Sequence, residues 1–268
     1  MDFKKTLIMG ILNVTPDSFY DGGRYLSREK ALTHAIEMYK DGADIIDVGG
    51  ESTRPGSVPV SLEEELDRVI PVIESIAREI PVTISIDTTK SEVAKAACKA
   101  GATIINDISG MTFDPKIADV AAEYGAYLVI SHIQGTPQDM QNSPLYDDLV
   151  KDILDFLGIN IENALNKGVS KEKIIIDPGI GFGKTLEQNY IIINELKRFA
   201  ESGFPVLVGL SRKSLIGRLY ESDEDRLPAT IALNAVAVLN GASIIRVHDV
   251  KAHILAIKSI DFLKKVRI

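Results

Sequence analysis

Residues 101–109 read GATIINDIS. Gly101 suits the left-handed position that ends a helix. The apolar run Thr103–Ile105 follows at once, and it passes abruptly into Asn106 and Asp107. The unit is therefore helix, glycine, buried strand, polar strand end. The same unit recurs outward in both directions. Gly42-Ala43 precedes DIIDVGG (44–50), Gly125-Ala126 precedes YLVISHI (127–133), and Gly241-Ala242 precedes SIIRVHD (243–249). Gly168 stands before KIIIDPG (173–179) and Gly203 before PVLVGLS (205–211), while Pro81 marks the joint before VTISIDT (82–88). With TLIMGILNV (6–14) the series has eight strands. Each is apolar almost throughout, as in a parallel sheet covered on both faces.

Longer amphipathic segments fill the gaps. Leu62, Leu66, Val69, Ile70, Ile73, Ile76, Ala77 and Ile80 keep the helical period, and Ser61 with Glu64 resembles a capping box. Pro71 predicts a kink or break in that helix. Leu149, Ile153, Phe156, Leu157, Ile161, Ala164 and Leu165 form a second apolar stripe. Strands alternating with helices imply right-handed parallel crossovers. An open doubly wound sheet would leave weaker edge strands, and none of the eight is weak. The expected fold is α/β, a (βα)8 barrel of the TIM type, with residues 1–268 forming a single domain.

The net charge of −8 argues against a nucleic-acid partner. No apolar run is long enough for a membrane span, and MDFKKTLIMG lacks the form of a secretory leader. Cys98 is the only cysteine, in a helical context that suits a small packed side chain. A cytoplasmic protein is expected.

In such a barrel the active site lies at the carboxyl ends of the strands. Those ends supply Asn13; Gly49, Gly50 and Glu51; Asp87; Asn106 and Asp107; His132; Asp177; Ser211 followed by Lys213; and Arg246 with His248. One such residue alone is most often a cap or a turn former. His34 and His253, in helical segments, are read as structural. Eight strand ends aiming polar groups at one mouth are harder to explain as packing. Arg54, Lys213, Arg246 and His248 suit a polyanion. Asp87, Asp177 and Asn106 suit the donor edge of a nitrogen heterocycle. The combination implies a heterocycle carrying phosphate. PGIGFGKT (178–185) is not a Walker A loop, because that motif would need glycine where Pro178 stands.

The ordered motifs closely resemble those of the dihydropteroate synthase family, almost end to end. They are Asn13–Phe19, Gly49–Gly56, Ser85–Thr88, Ile105–Gly110, Asp177–Gly183, Gly209–Ser214 and Arg246–His248. The resemblance implies a transferase of folate biosynthesis. It would join 6-hydroxymethyl-7,8-dihydropterin diphosphate to p-aminobenzoate through a carbocation-like species, releasing pyrophosphate. It implies that Asp87, Asn106, Asp177, Lys213, Gly181, Phe182 and Gly209 bind the pterin. Asn13, Arg246 and His248 would bind the diphosphate, Asn13 together with Mg2+. Phe19, Ser52, Thr53, Arg54, Pro55 and Ser211 would frame the p-aminobenzoate pocket. Lys213, Asp87, Asp177, Arg246 and His248 are the expected catalytic set. The family tends to form homodimers. Ile133 stands where the family commonly has Met, with the apolar volume kept.

Two other readings share the pterin-binding barrel: a pterin-dependent methyltransferase and a non-catalytic pterin-binding protein. Lys213, Arg54 and the long loop after Asn13 speak for a diphosphate leaving group. The loops TPDSFYDGGRY and STRPGSVPV, rich in Gly, Pro and Ser, are expected to close over substrate.

Overall fold

A computed structural model describes residues 1–15, 23–219 and 226–266. Eight parallel strands alternate with helices in chain order. The strands are β1 (Leu7–Asn13), β2 (Ile45–Gly49), β3 (Thr83–Asp87), β4 (Ile104–Asp107), β5 (Tyr127–Ser131), β6 (Ile174–Asp177), β7 (Leu207–Gly209) and β8 (Ile244–Val247). Their order around the sheet is β6-β5-β4-β3-β2-β1-β8-β7. A parallel bridge between Ile176 and Val206 joins β6 to β7 and closes the barrel. All eight strands fall within the segments expected from the sequence.

The helices among the described residues are α1 (Gly23–Asp41), α2 (Leu62–Glu79), α3 (Ser91–Ala100), α4 (Ile117–Tyr124), α5 (Leu149–Asn166), α6 (Leu186–Asn194), α7 (Leu196–Ala200), α8 (Ser214–Gly217), α9 (Arg226–Leu239) and α10 (Val250–Val266). Ser61 caps α2 by accepting from the Glu64 amide at 3.2 Å. The side chain of Glu64 pairs with Arg68 instead of returning to the cap. A complete capping box forms elsewhere, between Thr185 and Gln188 at the start of α6. Of the kink or break expected at Pro71, the break does not occur. Helix α2 runs unbroken from Leu62 to Glu79. Proline removes one backbone donor, and burial of Val69, Val72, Ile73 and Ile76 outweighs that loss. On α5, Ile153, Leu157, Ile161 and Ala164 are buried, whereas Leu165 is exposed.

The barrel interior has two storeys. Leu7, Met9, Ile45, Ile104, Val129, Ile175, Leu207 and Ile244 form an apolar plug, separate from the larger core between sheet and helices. Side chains two apart on a strand share a face. So Asp47 follows Ile45 on the inner face, Asn106 follows Ile104, Asp177 follows Ile175, and Arg246 follows Ile244. The nearly unbroken apolar runs thus hide a change inside the barrel. Apolar residues fill the amino end and polar ones the carboxyl end.

Candidate active site

The polar storey is organised around Arg246. Its Nε donates to Asp47 Oδ2 at 2.6 Å and its Nη2 to Asp87 Oδ2 at 2.5 Å. Asn106 Nδ2 also donates to Asp47 Oδ2, at 3.1 Å. The register brings these groups together: Gly49 lies beside Asp87, and Asp87 beside Asn106. Burial raises the Asp87 carboxyl to about 7; Arg246 opposes the rise, and Asp47 adds to it. Two carboxylates on one guanidinium hold Arg246 firmly charged. Arg246 thus commits two of its donors to carboxylates. It is a bridge between β2 and β3.

Asp177 and Lys213 face each other across the next part of the interior. The Asp177 Oδ1 accepts from the Gly179 amide at 2.7 Å. Burial raises its pKa, against the pull of that bond and of Lys213. Lys213 Nζ donates to the Ile180 carbonyl and lies 4.1 Å from the centre of the Phe182 ring. Burial lowers its ammonium to about 8, with Asp177 opposing. Gly181 has φ +85°, and a Cβ there would meet the Lys213 stem at 2.9 Å. The close approach of loop and lysine thus needs glycine.

The loop after β6 is fixed from below. Lys184 is buried and donates to the carbonyls of Gly179 and Phe182, at 2.9 Å each. Asn189 Oδ1 accepts from the Gly181 amide at 2.6 Å, and the Tyr146 hydroxyl donates to the Gly183 carbonyl. Gly181, Phe182 and Lys213 therefore form a rigid wall.

At the rim, Ser211 Oγ accepts from the His248 backbone amide and lies 3.0 Å from its Nδ1. Burial depresses His248 to about 4, helped by Arg212, Arg246 and Arg54. A serine that accepts from the backbone can donate to Nδ1, which leaves the proton on Nε2. His248 is then a neutral donor. Asn13 ends β1 beside Gly49. Gly209 pairs with Arg246 in the sheet.

A cavity of about 290 Å3 opens beside Asp87, lined by Glu51, Thr53, Glu65, Lys90, Ile108 and Phe113 among others. Lys90 Nζ pairs with both Glu51 and the buried Glu65. Arg68 holds the Gly50 carbonyl at 2.6 Å. Together these pin the start of the loop that carries Ser52, Thr53, Arg54 and Pro55. The Gly56 amide of that loop docks on the Pro137 carbonyl at 2.9 Å.

The pterin-binding enzyme family matches residues 9–248. The chain is 51% identical to the dihydropteroate synthase of Bacillus subtilis over 251 residues, 92% of this chain and 85% of that one. It overlays the dihydropteroate synthase of Yersinia pestis, solved with a sulfonamide drug, with a TM-score of 0.94 at 43% identity, covering 99% and 97% of the two chains. The Xanthomonas albilineans dihydropteroate synthase with 4-aminobenzoic acid overlays with a TM-score of 0.93 at 41% identity, covering 99% and 96%. This chain belongs to the dihydropteroate synthase family.

For a dihydropteroate synthase, the sequence-derived residues gather into two groups. Asp87, Asn106, Asp177, Lys213, Gly181, Phe182, Gly209 and Arg246 belong to the interior. Asn13, Ser52, Thr53, Arg54, Pro55, Ser211 and His248 belong to the rim. Ser211 is tied to His248, not to the loop after β2. Phe19, expected in the arylamine pocket, lies outside the described residues, as does most of the loop after Asn13. Asp107 turns away and caps its own turn, accepting from the Ser109 and Met111 amides. His132 rests edge-on against Phe156, with ring centroids 4.8 Å apart. Ile133 is buried. His253 is not fully satisfied as expected: Nδ1 faces the Asp249 carbonyl at 2.7 Å, but buried Nε2 has no partner. Cys98 is half-buried, and burial raises its thiol to about 11, which suits packing and not nucleophilic chemistry.

Three groups escaped the strand-end reading: Asp47, Lys184 and the Glu65–Lys90 pair. For Asp47 the sequence carried a signal. It is a charged residue inside an otherwise apolar strand, two positions from an inward isoleucine.

Proposed function

We propose that this chain condenses 6-hydroxymethyl-7,8-dihydropterin diphosphate with p-aminobenzoate to give 7,8-dihydropteroate and pyrophosphate. The observation that carries the reading is the inner polar storey. It opposes acceptors on Asp177 and Asn106 to the Lys213 ammonium, with the Phe182 ring and Gly181 beside it. A flat aminopyrimidine ring needs such a slot: acceptors for its N–H edge and a cation for its carbonyl side. Arg246, His248 and Arg54 supply donors toward the diphosphate.

The reaction breaks the methylene C–O bond and forms a C–N bond. Positive charge develops on the methylene, and Asp87 would stabilise it. Negative charge develops on the departing group, and preorganised donors from Arg246 and neutral His248 would stabilise that. The arylamine nitrogen attacks as a neutral base and releases its proton afterwards, so no strong general base is required. The donor set suits a magnesium ion carried in on the diphosphate. Asn13 offers an amide oxygen near Asp87, and no cluster of three acidic or imidazole side chains exists among the described residues. Phosphate and water would complete the ion's shell. Bound there, it would offset the charge of the leaving group.

A lone cysteine, which allows no intrachain disulfide, agrees with a cytoplasmic enzyme. No helix among the described residues is long and apolar enough to cross a membrane. Exposed Leu255 and Phe262 on α10 would suit an apolar face between two copies, in keeping with a homodimer. A pterin-dependent methyl transfer would leave Arg54 and His248 without a diphosphate to bind. The test is product formation. Purified chain, Mg2+, pterin diphosphate and p-aminobenzoate should yield dihydropteroate and pyrophosphate in equal amounts; no product sinks the proposal.

A further inference from the structure

Asp47 is fully buried and sits where three strands meet. Its Oδ2 takes the Arg246 Nε from β8 and the Asn106 Nδ2 from β4. That oxygen already accepts from the guanidinium, which can only donate. The face of Asn106 turned toward it must therefore be the NH2 group. That fixes the other face of the amide as carbonyl. The structure leaves Asn106 Oδ1 buried and without a partner, and Asp47 Oδ1 likewise. Leaving a buried acceptor unpaired is costly, so a site that keeps two of them is built to receive donors.

We infer that Asp47 is a positioning residue that locks the Asn106 amide with its oxygen toward the ligand, so that the slot accepts an N–H ring edge and rejects a carbonyl edge. The inference rests on the pterin reading above and adds to it the source of the edge selectivity. Asp47 also holds the Nε of Arg246, so one carboxylate orients both the ring contact and the diphosphate contact. Without it, Asn106 is free to turn over. A flipped amide presents two donors to a ring edge that is itself a donor.

The experiment compares two ligands on the full chain by calorimetry: pterin, with a 2-amino group, and lumazine, with a 2-oxo group. Wild type should favour pterin. In Asp47→Asn the new side chain can donate or accept, and Asn106 is no longer locked. The pterin-to-lumazine affinity ratio should fall at least tenfold. A merely structural role would weaken both ligands alike and leave the ratio unchanged, and that result overturns the inference. Asp47→Glu, which keeps the acceptor, should retain most of the ratio. Should Asp47→Asn not fold, Asp47→Ser makes the same comparison with a smaller side chain. If wild type binds neither ligand, the pterin reading itself fails, and the inference with it; a selective wild type with an unchanged ratio in the variants removes the inference alone.

Discussion

Lys184 sets its Nζ 2.9 Å from Nδ1 of His132, joining the loop after β6 to the end of β5. The same nitrogen donates to the carbonyls of Gly179 and Phe182. The Nζ thus meets three polar partners at once. Burial depresses His132 to about 3, so its ring is neutral and can accept at Nδ1. Lys184 is driven well below its ordinary value by the same burial, with Asp177 opposing. The lysine is a staple under the wall that carries Gly181 and Phe182.

Lys184→Met keeps the length of the side chain and removes all three bonds. Leaving buried acceptors unpaired costs about 3 kcal/mol or more. For a chain of this size that corresponds to a fall in Tm of roughly 6–12 °C. Differential scanning calorimetry on wild type and variant checks this. A fall of less than about 2 °C would show that the staple contributes little.

Gly179 tests the same loop by sterics. Its φ is +72°, and a Cβ there would lie 1.7 Å from the His132 carbonyl oxygen. Gly179→Ala must displace backbone, so pterin affinity should fall at least tenfold. Gly203→Ala is the control. Gly203 also has positive φ, +82°, but open space around it. It should lose only about 1 kcal/mol, the cost of a left-handed alanine, with pterin binding intact. Equal effects from the two substitutions would contradict the packing described for the β6 loop.

The barrel was legible because each of its units is local. Gly101, Gly125 and Gly241 end helices within the chain segment that precedes each strand, and Ile-rich runs follow within two residues. The site was legible where it coincides with strand ends, as at Asp87, Asn106 and Asp177. What stayed hidden is non-local. The Asp47–Arg246 bridge joins residues 199 apart in sequence. Lys184 drew notice only as part of a loop that fails the Walker pattern, because nothing nearby in sequence announces that it turns inward to His132. The unbroken helix at Pro71 shows the same limit. Pro71 alone opposes continuation of that helix, and packing against the sheet decides in its favour.

Two shifted groups are expected to set the pH range of activity. Burial pushes the Asp87 carboxyl up to about 7 and the Lys213 ammonium down to about 8. Asp87 must be ionised to stabilise positive charge, and Lys213 must be protonated to act as a cation. The ratio kcat/KM should therefore rise as pH climbs toward about 7 and fall above about 8. Steady-state kinetics from pH 5 to 10 measure both limbs. In Lys213→Arg the upper limb should vanish while the lower one remains. Retention of the upper limb would assign it to another group.

His248 should make the fold acid-sensitive. Burial depresses it in the folded state to about 4, from the ordinary imidazole value of 6.5. As pH falls below 6.5 the unfolded chain takes up the proton first, so this contribution to stability is complete above 6.5 and is lost on the way down to 4. His248→Asn lacks the titrating ring. The stability difference between wild type and variant, from urea unfolding at several pH values, should shrink steadily over that interval. A constant difference would mean that the imidazole is not buried neutral.

Lys213 gives the most direct test of the pterin slot. Its ammonium stands over the Phe182 ring and opposite Asp177, where a cation would face the carbonyl side of a bound pterin. The decisive measurement is kcat/KM for dihydropteroate formation by Lys213→Ala beside wild type, with folding verified by circular dichroism. The slot described here predicts a loss on the order of 10²–10³-fold, the size found when one preorganised donor is removed. A folded variant with an undiminished rate would contradict it.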